Sequence, residues 1–451
     1  MTDDKSGLLQ SLLGKLPETA ASKLAQAIEM DRLMDGHELP HDVILRGLRP
    51  SLGQSNRTQT PLRLFCEPFE DLLDSQPRKA KHKAVIARAS VVPVWTWLST
   101  VLLTEESELY FRAAKALILS GKLGDARALT RPFWARAGAA MRAALERNSA
   151  ETAKRLQADE IADAREMALL LSEGEEMEKV QGRLPKPLPH LSEEILWQLR
   201  ESYDALILRN PDVAPFVAVV AMNRLQRPWE ALRLPMMVSR QTSDALISKT
   251  DMGLVGEILF ARMDAMKAAI MAARHPLFDA DMLVAQVSGF AELSSAVVKE
   301  IEVRRDGEWG RRLLKDRAAI GEVMDGFMDR AAKELNAALP MQKGSGDFSR
   351  PTNAEKRALA LNYAKLVAGT RHFAAAGSFA AKQRTALEEI SNHLRHYVDD
   401  AIRGLKGSSG EKRAVIESQL QYGADVAAIL VSTEEAELIR RRVRAAQSAA
   451  A

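Results

Sequence analysis

One cysteine, Cys66, in 451 residues leaves no intrachain disulfide and no cysteine-based structural zinc site. The expected setting is a reducing compartment, the cytoplasm. Charge of one sign is also lacking: 63 Lys and Arg against 60 Asp and Glu give a formal charge of +3, so bulk charge does not point to nucleic acid. Aromatic residues make up only 5% of the chain, so any place where they gather stands out. No apolar run reaches the roughly 20 residues a membrane-spanning helix needs. The opening MTDDKSGLLQSLLGKLPETA carries acids in place of a basic leader and breaks its apolar part with Gln10, Ser11, Gly14 and Lys15, so no secretory signal is expected. Period-two alternation long enough for a strand is absent.

What is present is an ordinary globular composition, 46% apolar and 27% charged, which excludes wholesale disorder. A chain of this length exceeds a single core and is expected to form two or three domains. Apolar residues return at helical spacing almost throughout, so the fold class expected is all-α, a multi-helical array of stacked hairpins or bundles. Three units are expected: an N-terminal helical domain over 1–181 ending in a long charged helix, a central one over 191–339, and a C-terminal one over 352–451. The linkers 182–190 and 340–351 are rich in Pro, Gly and Ser. Local start signals are clear at Ser192, which precedes Glu193 and Glu194, at Asp279, and at Thr352 with Glu355 as a capping box; Ser432 with Glu435 marks a restart near the end. The segment from Ala113 to Ala126 faintly resembles one helical hairpin of a tetratricopeptide-type repeat, with a turn at Gly121 to Gly124, but no fixed period follows.

The chain is organised around ASVVPVWTWLSTVLLT, Ala89 to Thr104, which carries Trp95 and Trp97 and no charge. At about 1.5 Å per residue it is too short for a hydrocarbon core of about 30 Å. A helix from Val94 to Leu103, buried on nearly all sides, is expected, with Pro93 in its first turn and Thr104 as the next N-cap. Just before it lie Arg78, Lys79, Lys81, Lys83 and Arg88 with no acid among them, a pattern that suits an anionic surface or partner. Partner-binding candidates are therefore Arg78, Lys79, Lys81, Lys83, Trp95 and Trp97, with the methionines between Met222 and Met282 as a second adaptable surface.

Catalytic motifs are not apparent. His37-Glu38-Leu39-Pro40-His41 has the letters of a zinc-protease helix, but Pro40 breaks the turn that would put both histidines on one face. Glu389, His393, His396 and Asp400 line one helical stripe and are the metal-ligand candidates, although the apolar stripe of that helix lies well round from them, so they are expected to face water. Gly404 to Lys412 lacks Walker spacing, and Cys66 sits among Leu64, Phe65 and Phe69 as an inert thiol. No cofactor is implied. The reading is a non-catalytic cytoplasmic scaffold or adaptor for a protein partner. Nucleic acid is disfavoured, and the alternatives are a peripheral membrane or nucleic-acid binder using the 78–88 basic segment and a metal-dependent helical enzyme.

Overall fold

The computed structural model describes residues 13, 16–33, 39–48, 59–76, 81–147, 150–342 and 345–448. It is 77% helical, so the all-α class holds. Sheet is confined, among the described residues, to two pairs of two-residue strands. The chain divides into two compact units, Met1–Leu234 and Pro235–Ala451.

The first unit opens with α1 (Glu18–Leu33) and α2 (His41–Leu48), which share a small core of Ala21, Ala25 and Leu48. The Pro40 carbonyl accepts from the Val43 and Ile44 N–H groups, so Pro40 opens α2 and His41 is its first residue. His41 Nε2 lies 2.7 Å from Asp31 on α1; His37 and Glu38 lie outside the described residues. Next come α3 (Pro61–Cys66), a parallel pair β1 (Leu73–Asp74) and β2 (Ile86–Ala87), α4 (Val91–Trp97), α5 (Thr104–Leu119) and α6 (Leu123–Glu146). Gly121, at φ +75°, makes the turn of the α5/α6 hairpin, as its position predicts.

The single charged helix expected up to Val180 is three helices: α7 (Ala150–Arg155), α8 (Ala158–Ser172) and α9 (Gly174–Arg183). Gln157 with Glu160 forms a capping box that starts α8. At the α8/α9 junction Gly174 lies so close to Trp134 that a Cβ there would be 2.8 Å from the indole. Helix α6 packs along α8, and Gly138 permits the approach, since a Cβ would meet the Ala168 carbonyl at 2.8 Å. Trp134 is fully buried and donates to the Leu64 carbonyl at 3.2 Å.

Residues 182–190, expected as a linker, are packed within this unit. Leu184 and Leu188 are buried, and the Leu188 backbone bonds to Arg224 and Gln226 at the end of α11. The α10 (Glu193–Arg209) cap at Ser192 forms as expected, accepting from the Ile195 N–H. Helix α11 (Phe216–Arg224) follows, and the chain enters its second unit within α12 (Arg233–Ser239).

The second unit contains α13 (Asp244–Ile247), α14 (Leu254–Ala272), α15 (Ala280–Glu300), α16 (Glu308–Ala338), α17 (Ala354–Gly369), α18 (Ala380–Lys406), α19 (Gly410–Leu430) and α20 (Thr433–Ser448). A hairpin, β3 (Met341–Gln342) and β4 (Ser345–Gly346), occupies part of the 340–351 segment. Asp279 and Ser432 cap as expected, accepting from Met282 and Glu435. The Thr352 capping box does not form: Asn353 is the N-cap of α17, and the Thr352 hydroxyl instead donates to the Ala338 carbonyl. Trp309, fully buried, packs on Gly256, where a Cβ would be 2.1 Å from the ring. Met222, Met252 and Met263 are core residues, while Met271 and Met282 are exposed.

Candidate functional site

The tryptophan stretch departs from expectation in shape and burial. Its α-helix begins at Val91, earlier than Val94, and ends at Trp97; Leu98 to Leu102 form a π-turn closed by the Leu103 N–H on the Leu98 carbonyl at 2.8 Å. The hydroxyls of Ser99 and Thr100 both bond back to the Thr96 carbonyl, and such side-chain competition favours a widened turn. Leu103, at φ −134° and ψ 58°, then breaks the helix, and Thr104 is the first residue of α5 where an N-cap was expected. Nor is the stretch buried all round. Val91, Val94, Trp97 and Leu98 face the core, whereas Val92 is 60% exposed and Thr96 and Thr100 face outward.

The corner at Leu103 opens a groove of about 570 Å³ between the two helices. Trp95 and Ser99 form one wall, and Thr104, Ser107, Glu108, Phe111, Arg112 and Lys115 form the other. Those α5 positions recur at three- and four-residue steps, so they share one helix face. Trp95 is held by rings on several sides: Phe65 at 4.9 Å between centroids, Phe133 at 6.2 Å, Tyr110 at 6.3 Å and Phe111 at 6.4 Å. Tyr110 stacks flat on Phe133 at 4.2 Å and donates to the Pro61 carbonyl. Burial pushes its phenol pKa well up, so it serves as a fixed donor. The wall is therefore rigid before anything binds, which lowers the ordering cost of binding.

Two features equip the groove to hold a ligand. Phe111 and Leu109 expose 37% and 62% of their surface on α5, a large apolar area for a helix in water. Ser107, only 2% exposed, lines the groove with an Oγ that has no hydrogen-bond partner. Glu108 and Arg112 form an exposed ion pair at the rim, an interaction worth only about 0.3 to 0.5 kcal/mol.

The candidates read from sequence are not brought together. Arg78 and Lys79 lie outside the described residues. Lys81 is not a free cation: its Nζ lies 2.6 Å from Glu166 and 3.0 Å from Asp163 on α8 and donates to the Val85 carbonyl. Burial raises the Glu166 pKa against the opposing pull of Lys81. Lys83 is exposed, and Arg88 bonds to Glu70 and Ser75. Trp97 is 2% exposed and is a core residue, so it offers no contact surface. Trp95 alone of the six lines the groove. Phe111 and Ser107 went unread because, beside Tyr110 and within a charged helix, their pattern is that of any amphipathic face.

The metal-ligand stripe also disperses. Glu389 accepts from Asn336, His393 Nε2 lies 2.7 Å from the Leu339 carbonyl, and His396 is exposed. Asp400, expected to face water, is buried and accepts the Gly346 N–H at 2.9 Å. Burial acts to raise its pKa, but the bonds from Gly346, Arg403 and Ser345 outweigh that and hold the carboxyl below its usual value. Among the described residues no three His, Cys, Asp or Glu side chains are grouped to hold a metal ion. Cys66 is buried, and burial pushes its thiol pKa far up. No described helix is long and apolar enough to cross a membrane. No protein-family model, curated protein or solved structure matches the chain.

Proposed function

We propose that this protein is a non-catalytic helical scaffold that captures a segment of a protein partner in the groove between Trp95 and α5. The observation that carries this reading is the pairing of a preformed aromatic wall, Trp95 against a part-exposed Phe111, with a buried Ser107 hydroxyl that lacks a partner. Aromatic walls suit an apolar anchor side chain, and a lone hydroxyl at depth suits a backbone N–H or carbonyl of an incoming chain. Glu108, Arg112 and Lys115 supply both signs of charge at the rim, as an amphipathic peptide would meet them. A reducing, cytoplasmic setting is in keeping with Cys66 as a buried lone thiol.

The alternative, an anionic surface gripped by basic residues, is less well supported. Lys81, Arg88, Arg440 and Arg442 are each engaged with acids of the chain itself. The deciding experiment compares co-purifying proteins for the wild type and Phe111→Glu in the native cell, with both melting temperatures measured. A partner retained by the wild type and weakened by about 2 kcal/mol or more in the variant, at unchanged melting temperature, supports the groove. An identical set of partners for both proteins overturns it.

A further inference from the structure

In the second unit, α17, α18 and α19 surround a set of polar groups that the fold leaves unpaired. Arg357, in the first turns of α17, sends its guanidinium across the Tyr422 ring, with Cζ 5.2 Å from the ring centroid. Its Nη1 donates to Ser418 Oγ at 2.9 Å, and the Tyr422 hydroxyl donates back to the Arg357 carbonyl at 3.2 Å. Stacking and these two bonds hold the guanidinium plane in place. What remains is the edge made by Nε and Nη2, whose N–H bonds run parallel. Both nitrogens are buried and have no hydrogen-bond partner among the described residues.

A second unpaired donor lies beside them. Tyr397, with no exposed surface, packs its ring 5.3 Å from Phe348, and its Oη has no partner. Burial raises its phenol pKa, and the nearby Arg357 charge opposes that without cancelling it, so the hydroxyl keeps its proton. Gln419, also fully buried and adjacent to Ser418, adds an unpaired Oε1. Its orientation is set, because Thr352 gives its proton to the Ala338 carbonyl and must accept from Gln419 Nε2, at 2.6 Å. Buried polar groups are nearly always satisfied, so donors in this number on one wall call for an acceptor.

We infer that Arg357 and Tyr397 form a binding site for a small carboxylate, taken side-on by Nε and Nη2 with the Tyr397 hydroxyl as third donor. The parallel N–H edge matches two carboxylate oxygens, and a carboxylate has about four lone-pair directions to receive three donors. One guanidinium supplies one positive charge, which balances a monoanion and undercompensates phosphate.

The test uses thermal unfolding of the full chain at pH 7 in sodium acetate, sodium lactate, sodium phosphate and sodium chloride at equal ionic strength. Ligand that binds only the folded state raises the melting temperature in a saturable way. The expected result is a saturable rise in acetate or lactate over chloride for the wild type, lost in Arg357→Lys and reduced in Tyr397→Phe. Removing an unpaired hydroxyl leaves Tyr397→Phe folded and no less stable than the wild type in chloride. An equal carboxylate effect in wild type and Arg357→Lys, no effect beyond chloride, or an Arg357-dependent response to phosphate that exceeds the carboxylates each overturns the assignment. So does a crystal grown in acetate that shows only water against the Nε and Nη2 edge.

Discussion

Asp163 Oδ1 lies 3.0 Å from Lys81 Nζ, and the Asp163 carboxylate has no exposed surface. Its Oδ2 accepts the Ser90 hydroxyl at 2.6 Å and the Ala87 N–H at 3.2 Å. One side chain of α8 thus pins both ends of the 81–90 segment, which leads directly into the groove-forming helix.

Removing that carboxylate strands a buried ammonium and two donors. Asp163→Ala is expected to cost about 3 to 5 kcal/mol, the range for breaking one partner out of a buried pair. Urea unfolding followed by tryptophan fluorescence measures it; a loss under about 1 kcal/mol would show that Glu166 alone suffices for Lys81.

Asp244, fully buried, caps a helix it does not belong to. Its carboxylate accepts the Arg304 N–H at 2.9 Å and the Gly310 N–H at 3.1 Å, at the start of α16. Gly307 leaves room for it, since a Cβ there would sit 2.2 Å from the carboxylate. Asp244→Ala is expected to destabilise by about 2 kcal/mol through the lost cap and the unpaired amides. Amide hydrogen exchange should accelerate first at Gly310, and unchanged protection there would contradict the capping role.

Glu67 provides a test against pH. Burial pushes its carboxyl above the usual 4.5, and the Arg127 guanidinium, at 3.0 Å, opposes but does not reverse this. The folded state therefore holds the proton more tightly than the unfolded one. Stability is greatest below the unfolded value and falls as pH rises through the folded-state pKa. Glu166 acts in the same direction, so the informative quantity is a difference. Unfolding free energies at pH 5 and pH 7 should differ less in Glu67→Gln than in the wild type; equal differences would show that Glu67 is not raised.

The parts of the fold legible in the sequence are those set within a few residues. Ser192, Asp279 and Ser432 reach amides three positions on, and Gly121 alone supplies its own positive φ. Thr352 shows the limit of that logic. It has the letters of a capping box, yet its hydroxyl is taken by Ala338 and Gln419, neighbours that no local pattern reveals. Lys81 is the same case with charge: its flanking residues hold no acid, and its counter-ions arrive on α8, 82 and 85 residues along the chain.

Helical periodicity by itself settled the class of this protein, because an apolar residue every third or fourth position can be buried only by side-by-side helices. Which tryptophan meets solvent was settled only by packing. Trp95 and Trp97 are two residues apart in one uncharged run, and a step of about 200° around the helix turns them to opposite sides. Trp97 enters the core while Trp95 lines the groove, since α5 departs at Leu103 and leaves one side of the turn uncovered.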